Sequence, residues 1–168
     1  IGYMTFVIAH LRALGRSTED IMVFYTLLGI GVMLSARLWA WLLTRYTDGK
    51  PLALLNALLG LSVMVAAVAT HWVWLLLSGI LFGCVFLSVV ASTTTLVRHQ
   101  LPTALWTRGI TAFTIVFALG QIIGPALVGN IADVAGGLQS GLMVSACVLW
   151  AGTALALLQK RAKASELL

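Results

Sequence analysis

The 168-residue chain is 61% hydrophobic, and only 10 basic and 5 acidic residues interrupt its apolar sequence. A soluble domain of this length needs a larger polar surface than so few charged residues supply, so the composition excludes that class. It predicts an integral membrane protein whose main partner is the lipid bilayer. The formal net charge of +5 is spread over several loops, without the basic patch that nucleic-acid binding requires.

Charged residues divide the chain into six apolar runs, and short polar loops join them. A β-barrel would show alternation over about ten residues, so the runs favour an all-α membrane protein, a bundle of six transmembrane helices. A hydrocarbon core of about 30 Å needs roughly 20 helical residues, so five runs are long enough to span and the first is predicted to be a truncated helix. The runs cover approximately 1–11, 21–44, 52–70, 73–97, 109–131 and 138–158.

Basic residues in the loops indicate the orientation, because cytoplasmic loops of membrane proteins are enriched in lysine and arginine. Only Arg12 and Arg16 lie on one side of the predicted membrane. We therefore expect the other side, which includes the C-terminus, to be cytoplasmic. The seven basic residues on that side are Arg45, Lys50, Arg98, Arg108, Lys160, Arg161 and Lys163.

Histidines and cysteines give no sign of a catalytic or metal site. His10, His71 and His99 lie at three different span ends without a partner four residues away, so we interpret them as interfacial side chains. Cys84 and Cys147 fall inside spans and are predicted to be buried, unreactive small hydrophobes. With no nucleophile and base together in a span, we predict neither an enzyme nor a bound metal or cofactor.

Arg37, in the second run, lies about eight residues or roughly 12 Å inside the cytoplasmic end of its predicted helix. A charge at that depth is costly unless it reaches the interface, pairs or faces water, and no acid of this chain lies within a span. Either Arg37 reaches the interface beside Trp41, which offers a cation–π face, or it faces a central pathway and meets an anionic substrate or an acid elsewhere.

The fourth run combines small residues with hydroxyls. Ser88, Ser92 and Thr95 follow at helical spacing and form one stripe, while Gly79 and Gly83 stand four residues apart. Such hydroxyls often bond carbonyls of their own helix, and such glycines let another backbone approach. The run therefore fits helix packing, and the hydroxyl stripe also fits a substrate pathway.

The fifth run contains residues that an ordinary lipid-facing helix avoids. Gly120 and Gly124 share one helix face and predict close packing, while Pro125 predicts a break in the hydrogen-bond ladder. Gln121 needs a polar partner, because an unpaired amide in hydrocarbon is costly. The residues fit either structural packing or a bending helix that lines a polar cavity.

These residues resemble the major facilitator superfamily of transporters. The segment from Gly120 to Pro125, followed by Gly129 and Ala132-Asp133, is similar to the eleventh helix of that superfamily and its following loop. The segments "IGYMTFVIAHLRALG" and "ILFGCVFLSVVASTTTLVR" resemble its seventh and tenth helices in poorly characterised bacterial permeases. One departure is the loop "WLLTRYTDGKPL", where Trp41 stands at the approximate glycine position of the loop signature, so Arg45, Asp48 and Lys50 fit a solvated turn.

The resemblance implies the C-terminal half of a 12-helix permease of the bacterial inner membrane, made of helices seven to twelve in two inverted three-helix repeats. It implies a missing N-terminal half as partner and transport of a small solute by alternating access, with protons as coupling ion and the protonated residue in the other half. The alternative is a structural or assembly subunit without transport. Helices seven and ten of the superfamily line its cavity, which adds weight to Tyr3, Thr5 and Phe6 beside Arg37, Ser88, Ser92, Thr95 and Gln121 as pathway residues.

Overall fold

The computed structural model describes residues 2–134 and 137–159, and within them the chain is all α-helical. Five helices are long and apolar enough to cross a membrane, and α1 is shorter at about 18 Å. A single turn of 3-10 helix at Thr103–Leu105 leads into α5. The helices are α1 Gly2–Ala13, α2 Thr18–Arg45, α3 Lys50–Val68, α4 Trp72–Gln100, α5 Trp106–Val134 and α6 Leu138–Leu158.

Turn and capping residues fix where the helices begin. Gly15 adopts a positive φ of 76° in the turn after α1, a conformation that glycine reaches without strain. Ser17 then caps α2: its hydroxyl accepts from the Asp20 amide at 3.1 Å, and the Asp20 carboxylate accepts from the Ser17 amide at 3.3 Å. This reciprocal capping box satisfies amides that would otherwise be orphaned at the helix start. At the opposite end, Pro51 in the first turn of α3 fits the entry from the second loop.

The closest helix pair is α2 with α4, and glycines on both helices make the approach possible. A Cβ atom added to Gly31 would lie 2.9 Å from the Ile80 carbonyl oxygen, and one added to Gly83 would collide with the Leu28 carbonyl oxygen. One turn away, Gly79 lies against the Phe24 ring. Backbone therefore packs on backbone here, as small residues permit between membrane helices.

The second close pair is α3 with α6. Gly60 accommodates the Trp150 indole, whose Nε1 donates to the Ala57 carbonyl at 3.3 Å. At the end of the bundle that carries the second loop, Gly49 lies against the Ala156 carbonyl. The short helix α1 completes the core through Tyr3, whose ring stacks on Phe82 of α4 with centroids 4.2 Å apart.

In contrast, α5 lies at the edge of the bundle. Residues 111–123 are all exposed, and the helix runs unbroken through Pro125 from Trp106 to Val134. Gly109 anchors its start against Val97 and Leu101 of the preceding helix and loop. Because most of this apolar helix contacts no other described element, its partners are lipid or protein beyond these residues.

Two expectations about buried and interfacial residues are corrected by the structure. His10 lies in the last turn of α1, as its position at a span end suggested, but its side chain is buried in the bundle and only 7% exposed. Its Nε2 atom is buried without a hydrogen-bond partner in the described part of the chain. Cys147 is exposed on α6, because it lies on the side of the helix that faces away from α3.

Because consecutive helices run in opposite directions, the basic residues of alternate loops lie at the same end of the bundle. Arg45, Lys50, Arg98 and Arg108 lie at the end of the bundle where α2 and α4 finish and α3 and α5 begin. Lys50 bonds Asp48 at 3.2 Å in the second loop. Slight burial opposes ionisation of that carboxyl, but bonds from Lys50 outweigh it and hold the pKa of Asp48 below its usual value. The predicted basic residues Lys160, Arg161 and Lys163 lie outside the described residues.

Candidate functional site

A groove between α4 and α5, which we call the α4–α5 groove, opens beside the exposed helix. Its volume is about 440 Å³ and its lining residues are uncharged. Three threonines and two phenylalanines stand out among them. The lining consists of Val89, Val90, Thr93, Thr94, Ile110, Phe113, Thr114, Val116 and Phe117.

The hydroxyls of this groove are held by their own helices. Thr93 donates to the Val90 carbonyl at 2.8 Å, and Thr114 donates to the Ile110 carbonyl at 2.9 Å. Each hydroxyl oxygen keeps a free lone pair and can accept a hydrogen bond from a solute. The rings of Phe113 and Phe117 supply apolar area alongside, so the groove suits a small amphipathic solute better than an ion.

A second groove lies farther along α5, between α1, α5 and α6, and we call it the α1–α5–α6 groove. It has a volume of about 350 Å³ and an almost wholly apolar lining. Gly120 and Gly124 form part of its wall, and neither has an atom within 4 Å of an added Cβ. Tyr3 closes the α1 side and Val128 the α5 side.

Gln121 stands at the middle of α5 between the two grooves. Thr114 and Val128 lie seven residues before and after Gln121. Because successive residues of a helix are rotated by 100°, each of these side chains points in the same direction as Gln121 to within about 20°. Thr114 lines the first groove and Val128 the second. The Gln121 amide is exposed and bonds to no other residue in the parts of the chain that the structure describes. It therefore lies at the middle of α5, on the side of the helix that carries the residues lining the two grooves.

The hydroxyl stripe of α4 lies on a different face from the α4–α5 groove. Ser88 is fully buried and bonds the Ser35 hydroxyl of α2 at 2.8 Å. Ser92 and Thr95 donate to carbonyls of their own helix at 2.6 and 3.0 Å. Both also line a small pocket of about 10 Å³ together with Asp48. These contacts are those of a packed interface between α2, α3 and α4.

The three residues of α1 that were predicted to line the pathway also differ in their surroundings. Tyr3 is buried and bonds the Ser78 hydroxyl at 2.7 Å, whereas Thr5 is exposed. Phe6 is half-buried, and its ring lies 3.6 Å from a Cβ added to Gly129 of α5. Phe6 and Gly129 thus join α1 to α5.

The hydrogen-bond partners of the Ser88 and Tyr3 hydroxyls were not predicted from the sequence. Ser35 bonds Ser88 from 53 residues away, and Ser78 bonds Tyr3 from 75 residues away. Gly31 and Ser35 stand four residues apart, so the small-residue spacing used for α4 was present in α2 as well. Thr93 and Thr94 carry no local signal that distinguishes them from their neighbours in a threonine run.

Removing the Tyr3 hydroxyl tests the buried bond to Ser78. We expect Tyr3→Phe in the full-length protein to lower the free energy of unfolding by about 0.5–1.5 kcal/mol, because the Ser78 hydroxyl loses its partner. The measurement is denaturant or thermal unfolding, in a cycle with Ser78→Ala. Tyr46→Phe at the exposed end of α2 is the control and should change nothing. Additive effects of Tyr3→Phe and Ser78→Ala would contradict the bond.

Comparison with known protein families places this chain beside a described family. The family described as "Uncharacterised MFS-type transporter YbfB" matches residues 1–157, from the start of the chain almost to the end of α6. Neither a curated protein nor a solved structure matches the chain.

Proposed function

We propose that this chain, which belongs to the family of uncharacterised MFS-type transporters matched by its residues 1–157, is the C-terminal six-helix half of a secondary transporter. In this proposal it moves a small solute across the bacterial inner membrane by alternating access. The observation that carries it is the uncovered face of α4 and α5, where the uncharged α4–α5 groove of about 440 Å³ opens beside Gln121. When a substrate cavity lies between two helix bundles, each bundle supplies one wall of it.

The depth of Gln121 supports a pathway at this face. Substrate sites of such transporters lie near the bilayer midplane, and Gln121 is within about one residue of the middle of α5. Its amide offers both donors and an acceptor to a solute. We therefore propose Gln121, together with Thr93, Thr94 and Phe117, as the part of the pathway that this chain supplies.

The other residues that the sequence predicted for the pathway fall into two groups according to their contacts in the structure. Thr5 and Phe6 lie on α1 beside α5 and stay within the proposed pathway at its other end. Tyr3 and Ser88 make buried bonds that join α4 to α1 and to α2, which favours a role in holding α4 in place. Ser92 and Thr95 bond carbonyls of their own helix, and we propose them as packing residues where α4 meets α2 and α3.

The N-terminal half is the proposed site of proton coupling. Carboxylates and histidines are the usual proton relays in membranes. In the described residues the four acids lie at helix ends or in loops, namely Glu19, Asp20, Asp48 and Asp133. His10 is buried but lies near the end of α1, away from the α4–α5 groove. We propose that the coupling carboxylate belongs to the half that faces this groove.

The second candidate is a structural or assembly subunit. The contact of α2 with α4 through Gly31 and Gly83 would suffice for such a role. In a subunit that does not transport, the α4–α5 groove would be sealed by protein or lipid in a single state. The two functions therefore differ in whether water reaches the groove, and in whether access changes.

Thiol accessibility in the full-length protein separates these functions. We expect Thr93→Cys and Phe117→Cys, in a background with Cys84 and Cys147 replaced by alanine, to react with an impermeant thiol reagent. The rate should change several-fold when a proton gradient is imposed on proteoliposomes, because alternating access opens the groove to one side at a time.

Leu155→Cys is the matched control, since Leu155 is exposed on α6 toward lipid, where a thiol does not ionise. Cysteines at Ser17 and Gly137 should react only from outside and one at Thr103 only from inside, which checks the orientation. Unreactive groove cysteines, or reactivity that ignores the gradient, would favour the subunit.

A further inference from the structure

The face of α2 that points away from α4 is apolar except for one threonine and one arginine. Ser35 faces α4, and Arg37 follows two residues later, about 200° around the helix, so it lies on the opposite side. The neighbours of Arg37 on this face are exposed, and Met33 is 83% exposed. This outer face of α2, as we call it, consists of Met22, Val23, Thr26, Ile30, Met33, Leu34, Arg37 and Trp41.

Arg37 has no compensating partner among residues 2–134 and 137–159. Asp48, the nearest acid beyond the end of α2, pairs with Lys50 at 3.2 Å. Asp20 lies 17 residues away near the other end of the helix, about 26 Å along its axis. The predicted contact of Arg37 with Trp41 does not form either. The cation–π pairs in this part of the chain are Arg16 with Trp72, Lys50 with Tyr46 and Arg98 with Trp106.

The direction of the helix works against escape of Arg37 to the interface. Arg37 lies eight residues, or about 12 Å, before the C-terminal end of α2. Every Cα–Cβ bond of an α-helix tilts toward the N-terminus, so this side chain starts out toward the middle of the bilayer. Arginines that reach the headgroups easily lie near helix ends. An anionic partner at the depth of Arg37 would offset the cost of its charge within the membrane.

We infer that the outer face of α2 docks against a transmembrane helix of the N-terminal half, and that this helix presents an aspartate or glutamate to Arg37. The inference rests on the proposed function, because that function supplies the second half. A carboxylate can accept two parallel hydrogen bonds from a guanidinium, which neutralises both charges in the membrane. Met33 and Trp41 on either side supply apolar area that seals the pair from lipid and water.

Replacement of Arg37 in the full-length protein tests the pair through its pH dependence. Arg37→Leu leaves the partner carboxylate buried and charged, so we expect a thermal midpoint lower by roughly 5–15 °C at pH 8. The deficit should shrink as the pH falls to 5, because a buried carboxylate without its cation takes up a proton and becomes neutral. The sign is fixed: stability of the variant is lost as pH rises.

Arg45→Leu is the matched control, because Arg45 lies on the same helix at its exposed end and should give a small, pH-independent change. Arg37→Lys keeps the charge but loses the planar fork, so it should lie between Arg37→Leu and the wild type. An Arg37→Leu midpoint equal to or above that of the wild type at every pH would overturn the inference, since it would mean that Arg37 faces lipid.

If the Arg37→Leu protein does not accumulate in the membrane, a selection for second-site suppressor mutations replaces the unfolding measurement. Random mutations confined to the N-terminal half and selected for restored expression should remove one Asp or Glu within a span. Suppressors that leave every such acid in place would contradict the pair. Failure of the pair leaves the proton-gradient response of Thr93→Cys and Phe117→Cys unaffected, so this inference and the proposed function are tested separately.

Discussion

Gly83→Leu is expected to cause the largest loss of stability of any single substitution in α4. The Cβ position of Gly83 already collides with the Leu28 carbonyl oxygen, which belongs to backbone and cannot rotate away. A leucine must push α2 and α4 apart along their closest contact and disturb the neighbouring bond between Ser35 and Ser88. We expect a loss of about 1–3 kcal/mol or more in the free energy of unfolding of the full-length protein.

The measurement is unfolding of the purified protein together with its level in the membrane. Gly29→Ala is the matched control: Gly29 lies on α2 only two residues before Gly31, but nothing lies within 4 Å of its added Cβ. It should be neutral or slightly stabilising, because alanine favours the helix by about 1 kcal/mol. Equal effects of Gly83→Leu and Gly29→Ala would show that α2 and α4 do not pack through these glycines.

The fold was accessible from sequence because each helix is an independent hydropathy signal. A bilayer requires about 20 apolar residues per span whatever the neighbours are, so the five long runs predicted membrane helices without knowledge of tertiary contacts. In the structure α2, α4 and α5 extend past their apolar runs by one to three residues at each end, so that α2 begins at Thr18 and ends at Arg45. Caps such as Ser17 are polar, so hydropathy alone omits them.

Sequence reasoning was less informative about side-chain neighbours. Ser88 and Thr93 are both hydroxyl residues of α4, yet one bonds Ser35 in a closed interface and the other lines an open groove. Which of them faces a pathway depends on how α4 is rotated against α2 and α5, and packing sets that rotation. His10 was misplaced for the same reason, since its burial comes from the surrounding bundle and is not encoded in its position along α1.

The glycines of α5 show a different gap between sequence and structure. Gly120 and Gly124 have the spacing of a close helix contact, but an added Cβ at either meets nothing within 4 Å. By comparison, Gly79 and Gly83 have the same spacing and do meet α2. If both pairs serve packing, the partner of the α5 pair lies beyond the described residues, in the α1–α5–α6 groove. We expect another part of the full-length protein to occupy this groove.

Replacement of Gly124 by leucine measures whether protein fills that groove. With protein in the groove, Gly124→Leu should overpack it and cost about 1–3 kcal/mol of stability in the full-length protein. Ala126→Leu is the matched control, because Ala126 is exposed about 200° around α5 and its leucine points away from the groove. Equal unfolding midpoints for Gly124→Leu and Ala126→Leu would indicate that lipid, and not protein, occupies the groove.

Gln121→Leu on the same turn of helix should have the opposite pattern, and its expected effect on transport is the largest of any variant here. The amide is exposed and bonds to no other described residue, so leucine costs no internal hydrogen bond and suits the bilayer. The protein should fold and reach the membrane as well as the wild type. The several-fold response of Phe117→Cys to a proton gradient should nonetheless shrink, because the polar group at mid-depth between the two grooves is gone. If Gln121→Leu keeps the full response, Gln121 faces lipid or a helix, and the pathway follows the threonines of the α4–α5 groove alone.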